Sequence, residues 1–379
     1  MKIMIVGGGI GGLTTAVALR QAGFAPLVYE AAPSLEPVGK GIWLPTNAML
    51  VLERLGLAEA LVALGIELTA IEVHDRATGR LQAIDLAAVK AHFGRTTTSI
   101  LRADLQATLA AALPAESIQL GKRCVAVQQA EAGVTVTFAD GSTAAADLLI
   151  GADGLRSVVR DQVAPGVQLR DSGQRCFLGV ADVRLPAGQH TVVREIWGGT
   201  CRFGYSPVTP DKVYWFAPIA APEPIFGGAE PLAALQQAYA AFPDPVADIL
   251  AHTDPAQIIL VPLKDILPQK RWYAGRVVLL GDAAHAMTPN LGQGGAQAIE
   301  DGYFLARLLA EKPTVEAALA AYQADRRPRA QRIASQAWRI GQLAHLTSAP
   351  ARFLRNTAFR LVPASLGQRQ AEALYKLDF

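Results

Sequence analysis

Apolar runs, glycine loops and stretches of helical spacing alternate along the chain. Residues 2–6 are an apolar run, residues 10–22 carry apolar positions at helical spacing up to Gly23, and residues 26–30 are apolar again. This order predicts strand, helix and strand within about thirty residues, a βαβ opening. Pro45 suits the first turn of a helix running through Met49, Leu52 and Leu55 and closed by Gly56, and a further helix is predicted from Ala58. Helix 102–113 follows, then strands 125–127 and 134–138 running to the Asp140-Gly141 turn, and a buried strand at 148–150.

The pattern changes at about Gln174. From there to Leu263, strand-like runs at 176–183, 191–197, 202–206, 213–218 and 258–263 are broken by Gly and Pro, which predicts a mostly antiparallel sheet. From Arg276 the chain returns to α/β character, with a strand at 277–280 and helices at 294–309 and 315–340. No repeat of roughly 20 to 50 residues is visible.

With 379 residues, 51% of them hydrophobic and 18% charged, the chain has the composition of a packed globular protein able to bury a large cofactor. The formal charge of +2 is uneven, since residues from Gln323 onward hold ten Lys/Arg against three Asp/Glu. No aromatic interleaving or nucleic-acid motif accompanies these charges, so a solvated helix face is expected, with an anionic cofactor or substrate as the partner and no nucleic acid. Cys124, Cys176 and Cys201 lack CxxC or metal-finger spacing, and no apolar run reaches ~18 residues. The N-terminus runs from Met-Lys directly into the first strand without a signal-peptide pattern. A cytoplasmic protein with unpaired thiols and no membrane span is expected.

Gly7-x-Gly9-x-x-Gly12 follows the first strand and opens the first helix, and Glu30 ends the second strand. The first glycine permits a tight turn, the second a close approach of backbone to a pyrophosphate, and the third close packing of helix on strand. Glu30 can accept from ribose hydroxyls and would repel a 2′-phosphate, so FAD or NAD fits this site and NADP does not. The bland alternative is a glycine turn made for packing only.

The segment Arg276-Val-Val-Leu-Leu-Gly281-Asp282-Ala-Ala-His285-Ala-Met-Thr-Pro289-Asn-Leu-Gly292-Gln293-Gly294-Gly295-Ala296, continuing to Glu300-Asp301-Gly302, places Gly-Asp at a strand end and a glycine-rich loop at a helix start. It resembles the Gly-Asp signature of class A flavoprotein monooxygenases. Asp147-Leu-Leu-Ile-Gly151-Ala-Asp153-Gly154-Leu-Arg156-Ser157 resembles the same family's Asp-Gly motif. The resemblance spans residues 1–340 and is nearest to the small urate- and salicylate-hydroxylase types. It implies non-covalent FAD, NADH or NADPH as co-substrate, and O2 as oxidant. Asp282 would hold the ribityl chain, Asp153 would touch both FAD and the pyridine nucleotide, and Arg102 would be a flavin contact. Gly11, Ala31, Lys40, Trp43, Val125, Pro289, Gly292, Gln293, Gly294, Gly295 and Ala296 complete the implied FAD set. A helix N-terminus at the pyrimidine end of the flavin would stabilise the negative charge of its reduced form.

The resemblance also implies an α/β fold: a Rossmann-like FAD-binding unit (1–70, 96–173 and 265–340) interleaved with a substrate-binding antiparallel sheet (71–95 and 174–264), then a helical segment at 341–379. Two departures stand out. Gly39-Lys40-Gly41-Ile42 replaces the usual Gly-Ala-Gly-Ile, putting a cation near the expected flavin ring, and Trp43 stands where relatives often carry a small polar residue.

On the substrate side, Arg202 and Tyr214 sit twelve residues apart, as in urate-hydroxylase-like relatives. Arg202 would anchor an anionic substrate and Tyr214 would orient or deprotonate a phenol-like group, with Pro289 at the catalytic end. Ordinary packing aromatics and a solvated arginine are the alternative. Asp282 and His285 have neither a GxSxG nor a second His at ligand spacing, so no hydrolase or metal site is expected. The expected activity is hydroxylation or epoxidation of a small aromatic or heteroaromatic substrate by a monomer or homodimer. A reductase or halogenase on the same fold, or a non-catalytic FAD or NAD sensor, remains the rival reading.

Overall fold

The computed structural model describes residues 1–35, 40–131, 133–220 and 231–377; Gly39 of the Gly-Lys-Gly-Ile segment lies outside them. Six strands form the first sheet, in the order β18 (Tyr273–Ala274), β19 (Val277–Leu279), β12 (Leu148–Gly151), β1 (Ile3–Val6), β2 (Leu27–Tyr29) and β8 (Ile118–Gln119). Every pairing is parallel except that of β18 with β19. β1 and β12 are buried along their whole length, which is why they read as unbroken apolar runs rather than alternating ones. Helices α1 (Ile10–Gln21), α2 (Thr46–Arg54), α3 (Ala58–Leu64), α5 (Arg102–Ala111) and α9 (Gly294–Glu311) contribute to the same apolar cluster.

The second sheet has seven strands, in the order β17 (Ile259–Ile266), β13 (Leu169–Asp182), β16 (Lys212–Ile219), β15 (Arg202–Thr209), β14 (Val192–Trp197), β5 (Ala70–Asp75) and β6 (Gly79–Asp85). Only β14 and β5 pair in parallel. Phe203, Tyr205 and Trp215 of this sheet pack with Leu235 and Tyr239 of α6 (Pro231–Tyr239) and with Val246 and Ile249 of α7 (Val246–Ala251). At the other edge α4 (Leu86–Phe93) buries Leu86 and Val89.

Two small sheets complete the β structure. One has the order β11 (Thr143–Ala146), β10 (Gly133–Phe138), β9 (Cys124–Ala130), and the other β3 (Gly41–Leu44), β7 (Thr98–Leu101), β4 (Ile66–Glu67). The second matters for function because β3 and β7 carry Trp43 and Ser99 toward Ser206 of β15, joined by hydrogen bonds of 2.9 Å. A single-turn helix α8 (Asp282–His285), then α10 (Val315–Ala344), α11 (Ala349–Leu361) and α12 (Ala364–Tyr375) finish the chain.

The structure extends several predicted elements, β13 and α10 among them. The strand expected at 176–183 begins at Leu169, because Arg170 forms a two-pronged ion pair with Asp265 of β17 at 2.9 and 2.7 Å, and this polar pairing hides the strand from a hydrophobic pattern. The helix expected at 315–340 runs on to Ala344 and carries Pro328 within it.

Candidate active site

The loop after β1 accepts only glycine at two points. A Cβ on Gly7, whose φ is +110°, would stand 2.2 Å from the carbonyl oxygen of Ala152, and one on Gly12 would stand 1.9 Å from that of Gly7. α1 then starts at N-cap Gly9 with neither a side-chain cap nor an acidic residue in its first turn. Its first amide groups are therefore left to an external acceptor, and the helix dipole favours an anion there. Glu30 accepts from the amides of Gly8 (2.6 Å) and Ala32 (2.8 Å). It thus fixes the loop, and each carboxylate oxygen keeps a lone pair for a ribose hydroxyl.

A second uncapped helix start faces the same space. After β19 the chain turns at Gly281 (φ +56°) into Asp282 and α8, and turns again at Gly292 (φ +62°) before α9, whose N-cap Gln293 makes no capping bond. Gln293 instead accepts from Asn47 (3.0 Å) and Gln297 (3.1 Å). The amide of Gly281 donates to Asp301 at 3.0 Å, and His285 pairs with the same carboxylate at 2.5 Å. Arg160 ties the two motifs together by donating to the carbonyls of Ala283 (3.3 Å) and Leu155 (2.6 Å).

Asp282 is open to the cavity but walled by protein, and this burial raises its pKa against the pull of His285, Arg102 and Arg160. Burial likewise pushes the Arg102 guanidinium down, with Asp282 opposing. No hydrogen bond joins that guanidinium to the described residues, so Arg102 is a cation held ready for an anionic ligand.

Gly9, Gly11, Trp43, Arg102, Asp282, Pro289, Gly292, Gly294 and Gly295 line one cavity of about 370 Å³, together with Arg202 and Tyr214. Gly7, Gly12 and Glu30 shape the loop behind it, and Gln293 and Ala296 are buried beside it. Asp153 turns back on its own loop, accepting from Ser157 (2.5 Å) and the amides of Val158 (2.7 Å) and Val159 (3.1 Å). Lys40 reaches Gln257 at 2.6 Å, Ala31 is half-buried, and Val125 stands half exposed on β9; none of the three lines the cavity. Among the described residues no group of three or more His, Cys, Asp or Glu is placed to hold a metal ion.

At the far end of the cavity Trp43 packs edge-on against Phe216 with ring centres 5.6 Å apart and sits against Gly292, where a Cβ would lie 3.2 Å from the indole. A Cβ on Gly41 would fall 2.3 Å from the ring of Tyr214, so this stretch of β3 lies flat on the tyrosine. Burial raises the Tyr214 hydroxyl far above its ordinary pKa.

Arg202 lines the cavity with its guanidinium already partnered. It is 2% exposed, and its guanidinium donates to Glu195 (2.7 Å), Asn290 (2.7 Å) and His345 (2.7 Å). Glu195 neutralises its charge. Glu195, Asn290 and His345 lie outside the site residues expected from the sequence, as does Arg160. Of these, Asn290 stands within the Gly-Asp segment and Arg160 three residues past the Asp-Gly segment, which is the only local signal they carry.

A glycine cradle, two uncapped helix starts, a free arginine and a ribose-compatible carboxylate form a donor set suited to a flavin dinucleotide. The family description "FAD binding domain" matches residues 1–337. The chain is 37% identical to aurachin C monooxygenase/isomerase of Stigmatella aurantiaca, over 96% of this chain and 94% of that protein. It is 35% identical to 2-heptyl-3-hydroxy-4(1H)-quinolone synthase of Pseudomonas aeruginosa, over 99% and 98%. The structure of HpxO from Klebsiella pneumoniae, complexed with FAD and uric acid, superposes with a TM-score of 0.90 at 29% identity, covering 99% of this chain and 96% of that one. With the motifs, the cavity and these relatives in agreement, the chain belongs to the class A FAD-dependent monooxygenases.

Proposed function

We propose that this monooxygenase hydroxylates an uncharged aromatic or heteroaromatic ring bearing an N–H or O–H donor and an apolar substituent, with NADH or NADPH as reductant. The Arg202–Glu195 ion pair carries this reading. A carboxylate substrate would have to displace Glu195 from a 2.7 Å charge-assisted bond inside a buried cluster and would leave one of two anions unpaired. An N–H or O–H group needs no such exchange. The described hydrogen bonds of Glu195, from Arg202 and Trp197, both fall on Oε1, which leaves Oε2 as an acceptor in a residue that lines the cavity.

The remaining wall at this end is apolar, with Leu178, Phe216, Pro218 and Met287 around Trp43. The heptyl-quinolone named for one relative has this combination of a ring N–H and a hydrocarbon chain. FAD, when bound, supplies the two-electron chemistry and the activation of O2. This chain's part is to hold substrate and flavin together and to keep water out. Burial raises the Tyr214 hydroxyl above its ordinary range, which favours a role in donating a hydrogen bond to the substrate over one in taking its proton. The three buried, unpaired cysteines suit a reducing compartment, and we place the reaction in the cytoplasm.

The test follows NADH and NADPH oxidation against a panel of quinolones, phenols, purines and aromatic carboxylates, with H2O2 measured to separate coupled from wasted turnover. Coupled turnover is expected with the uncharged donors, and better coupling with carboxylates overturns the reading. Glu195→Gln frees the charge of Arg202. It should lower the KM of a carboxylate and raise that of an N–H donor, each by roughly tenfold, at unchanged FAD content.

A further inference from the structure

The C-terminal helix α11 turns much of its apolar surface outward. Phe359 packs inward on Trp197 with ring centres 5.4 Å apart, but the most buried residues are the polar Arg355 and Asn356, 5% and 7% exposed, while Phe353, Leu354 and Leu361 stand 70%, 68% and 76% exposed. Arg355 explains the inward side: its guanidinium donates to the carbonyls of Leu343 (3.1 Å) and Ala344 (3.2 Å), closing the end of α10, and to Asn356 at 2.8 Å. On the outward side Phe353, Thr357 and Leu361 form one row at i, i+4 spacing and Leu354, Ala358 and Val362 the next, continued by exposed Leu366. A surface helix in water normally turns its apolar stripe to the core. A contiguous stripe turned outward marks a surface that something else covers.

Charge identifies what covers it. Between Ala349 and Leu377 the chain carries Arg352, Arg360, Arg369 and Lys376, besides the inward Arg355 that pairs with Asp75 at 3.5 Å, against Glu372 alone, and Arg360, Arg369 and Lys376 are exposed. A second copy of the chain meeting this face would bring the same cations together. An anionic bilayer surface instead meets the apolar stripe with acyl chains and the arginines with headgroups, as an Arg-bearing amphipathic helix does when it lies in the interface. No helix of the described residues is long and apolar enough to cross a membrane, so the contact is peripheral.

We propose that α11 and the start of α12 dock the enzyme onto anionic phospholipid surfaces. The opposite, inward side of α11 leads toward the substrate end of the cavity. Arg355 sits 4.9 Å over the ring of Trp197, and the Trp197 indole donates at 2.9 Å to Glu195, which lines the cavity.

The FAD-loaded protein is sedimented with vesicles of phosphatidylcholine alone and of phosphatidylcholine mixed with phosphatidylglycerol, at low and high salt. At low salt, anionic vesicles should carry down about tenfold more protein, with the difference falling as salt rises. Phe353→Ser/Leu354→Ser/Leu361→Ser should abolish binding to both vesicles at unchanged FAD content and melting temperature. Should that variant misfold, Arg360→Glu/Arg369→Glu tests the same surface and should lose the preference for anionic lipid. Equal sedimentation with and without anionic lipid overturns the proposal. So does a wild-type dimer that the apolar substitutions convert to monomer, which would assign the face to self-association. Vesicle binding is read without turnover, so its failure leaves the substrate reading untouched.

Discussion

Arg202 shows how one residue changes meaning with its partners. Its distance from Tyr214 in the sequence marks it as a candidate, and the cavity contains both. Its partners come from β14, the turn after α8, and the residue after α10, places that no local pattern connects. Among them His345 accepts from the Arg202 Nε at 2.7 Å, so it must be neutral with its proton on Nδ1. Burial first and the charge of Arg202 second push its pKa down to about 3. The unfolded chain binds this proton near pH 6.5 and the folded chain does not, so the stability difference is present in full above that pH and declines as pH falls toward 3. Below pH 6.5 the wild type should therefore lose up to about 1.4 kcal/mol per pH unit relative to His345→Gln, whose amide oxygen can still accept from Arg202. Urea midpoints measured from pH 7.5 to pH 5 on both proteins check this, and parallel curves would mean that the histidine titrates normally.

Elements with a continuous apolar run or strong helical spacing were readable from the sequence: β1, α1, β12, β19 and α9 lie within a few residues of expectation. β3 and β7 were not, because these are four-residue strands whose mutual pairing spans more than 50 residues and whose polar members Thr98 and Ser99 are buried. The Gly-Asp motif has a structural reason at its far end that its chemistry does not require. Gly302 is where α9 crosses α1, and a Cβ there would stand 2.6 Å from the Thr15 hydroxyl and 2.9 Å from its backbone nitrogen. Alanine gains roughly 1 kcal/mol of helix propensity over glycine, but the contact is with backbone that cannot swing aside, and overpacking costs about 1–3 kcal/mol. Gly302→Ala should lower the melting temperature and weaken FAD binding together, because both helices begin at the dinucleotide site. A rise in melting temperature would show that the helices can separate at no cost.

At the scale of the molecule, the cofactor half of the site depends on a buried charge cluster that no cavity residue reveals. Glu300, Asp301 and Arg326 are at most 1% exposed, with Arg326 donating to Asp301 (2.9 Å) and Glu300 (2.5 Å). Asn47 of α2 donates to Glu300 at 2.5 Å, and Asp301 receives the Gly281 amide and His285. Burial pushes Asp301 up, yet His285, Arg326 and the Gly281 amide together hold it below its usual range. Arg326 is kept charged against burial by the same two carboxylates. One arginine from α10 thus links α2, α9 and the turn that carries Asp282. Removing it should cost up to about 3–5 kcal/mol, since two buried carboxylates lose the arginine they share. The loss should fall mainly on Asp301, because Glu300 retains Arg329 at 2.9 Å. Arg326→Met is therefore expected to fold less stably and to lose FAD on gel filtration, with excess FAD restoring part of the melting temperature by mass action. Arg326→Lys keeps the charge without the two-pronged geometry and should fall between the two. A methionine variant that melts with the wild type and keeps its flavin would show that the cluster does not hold the Asp282 turn in place.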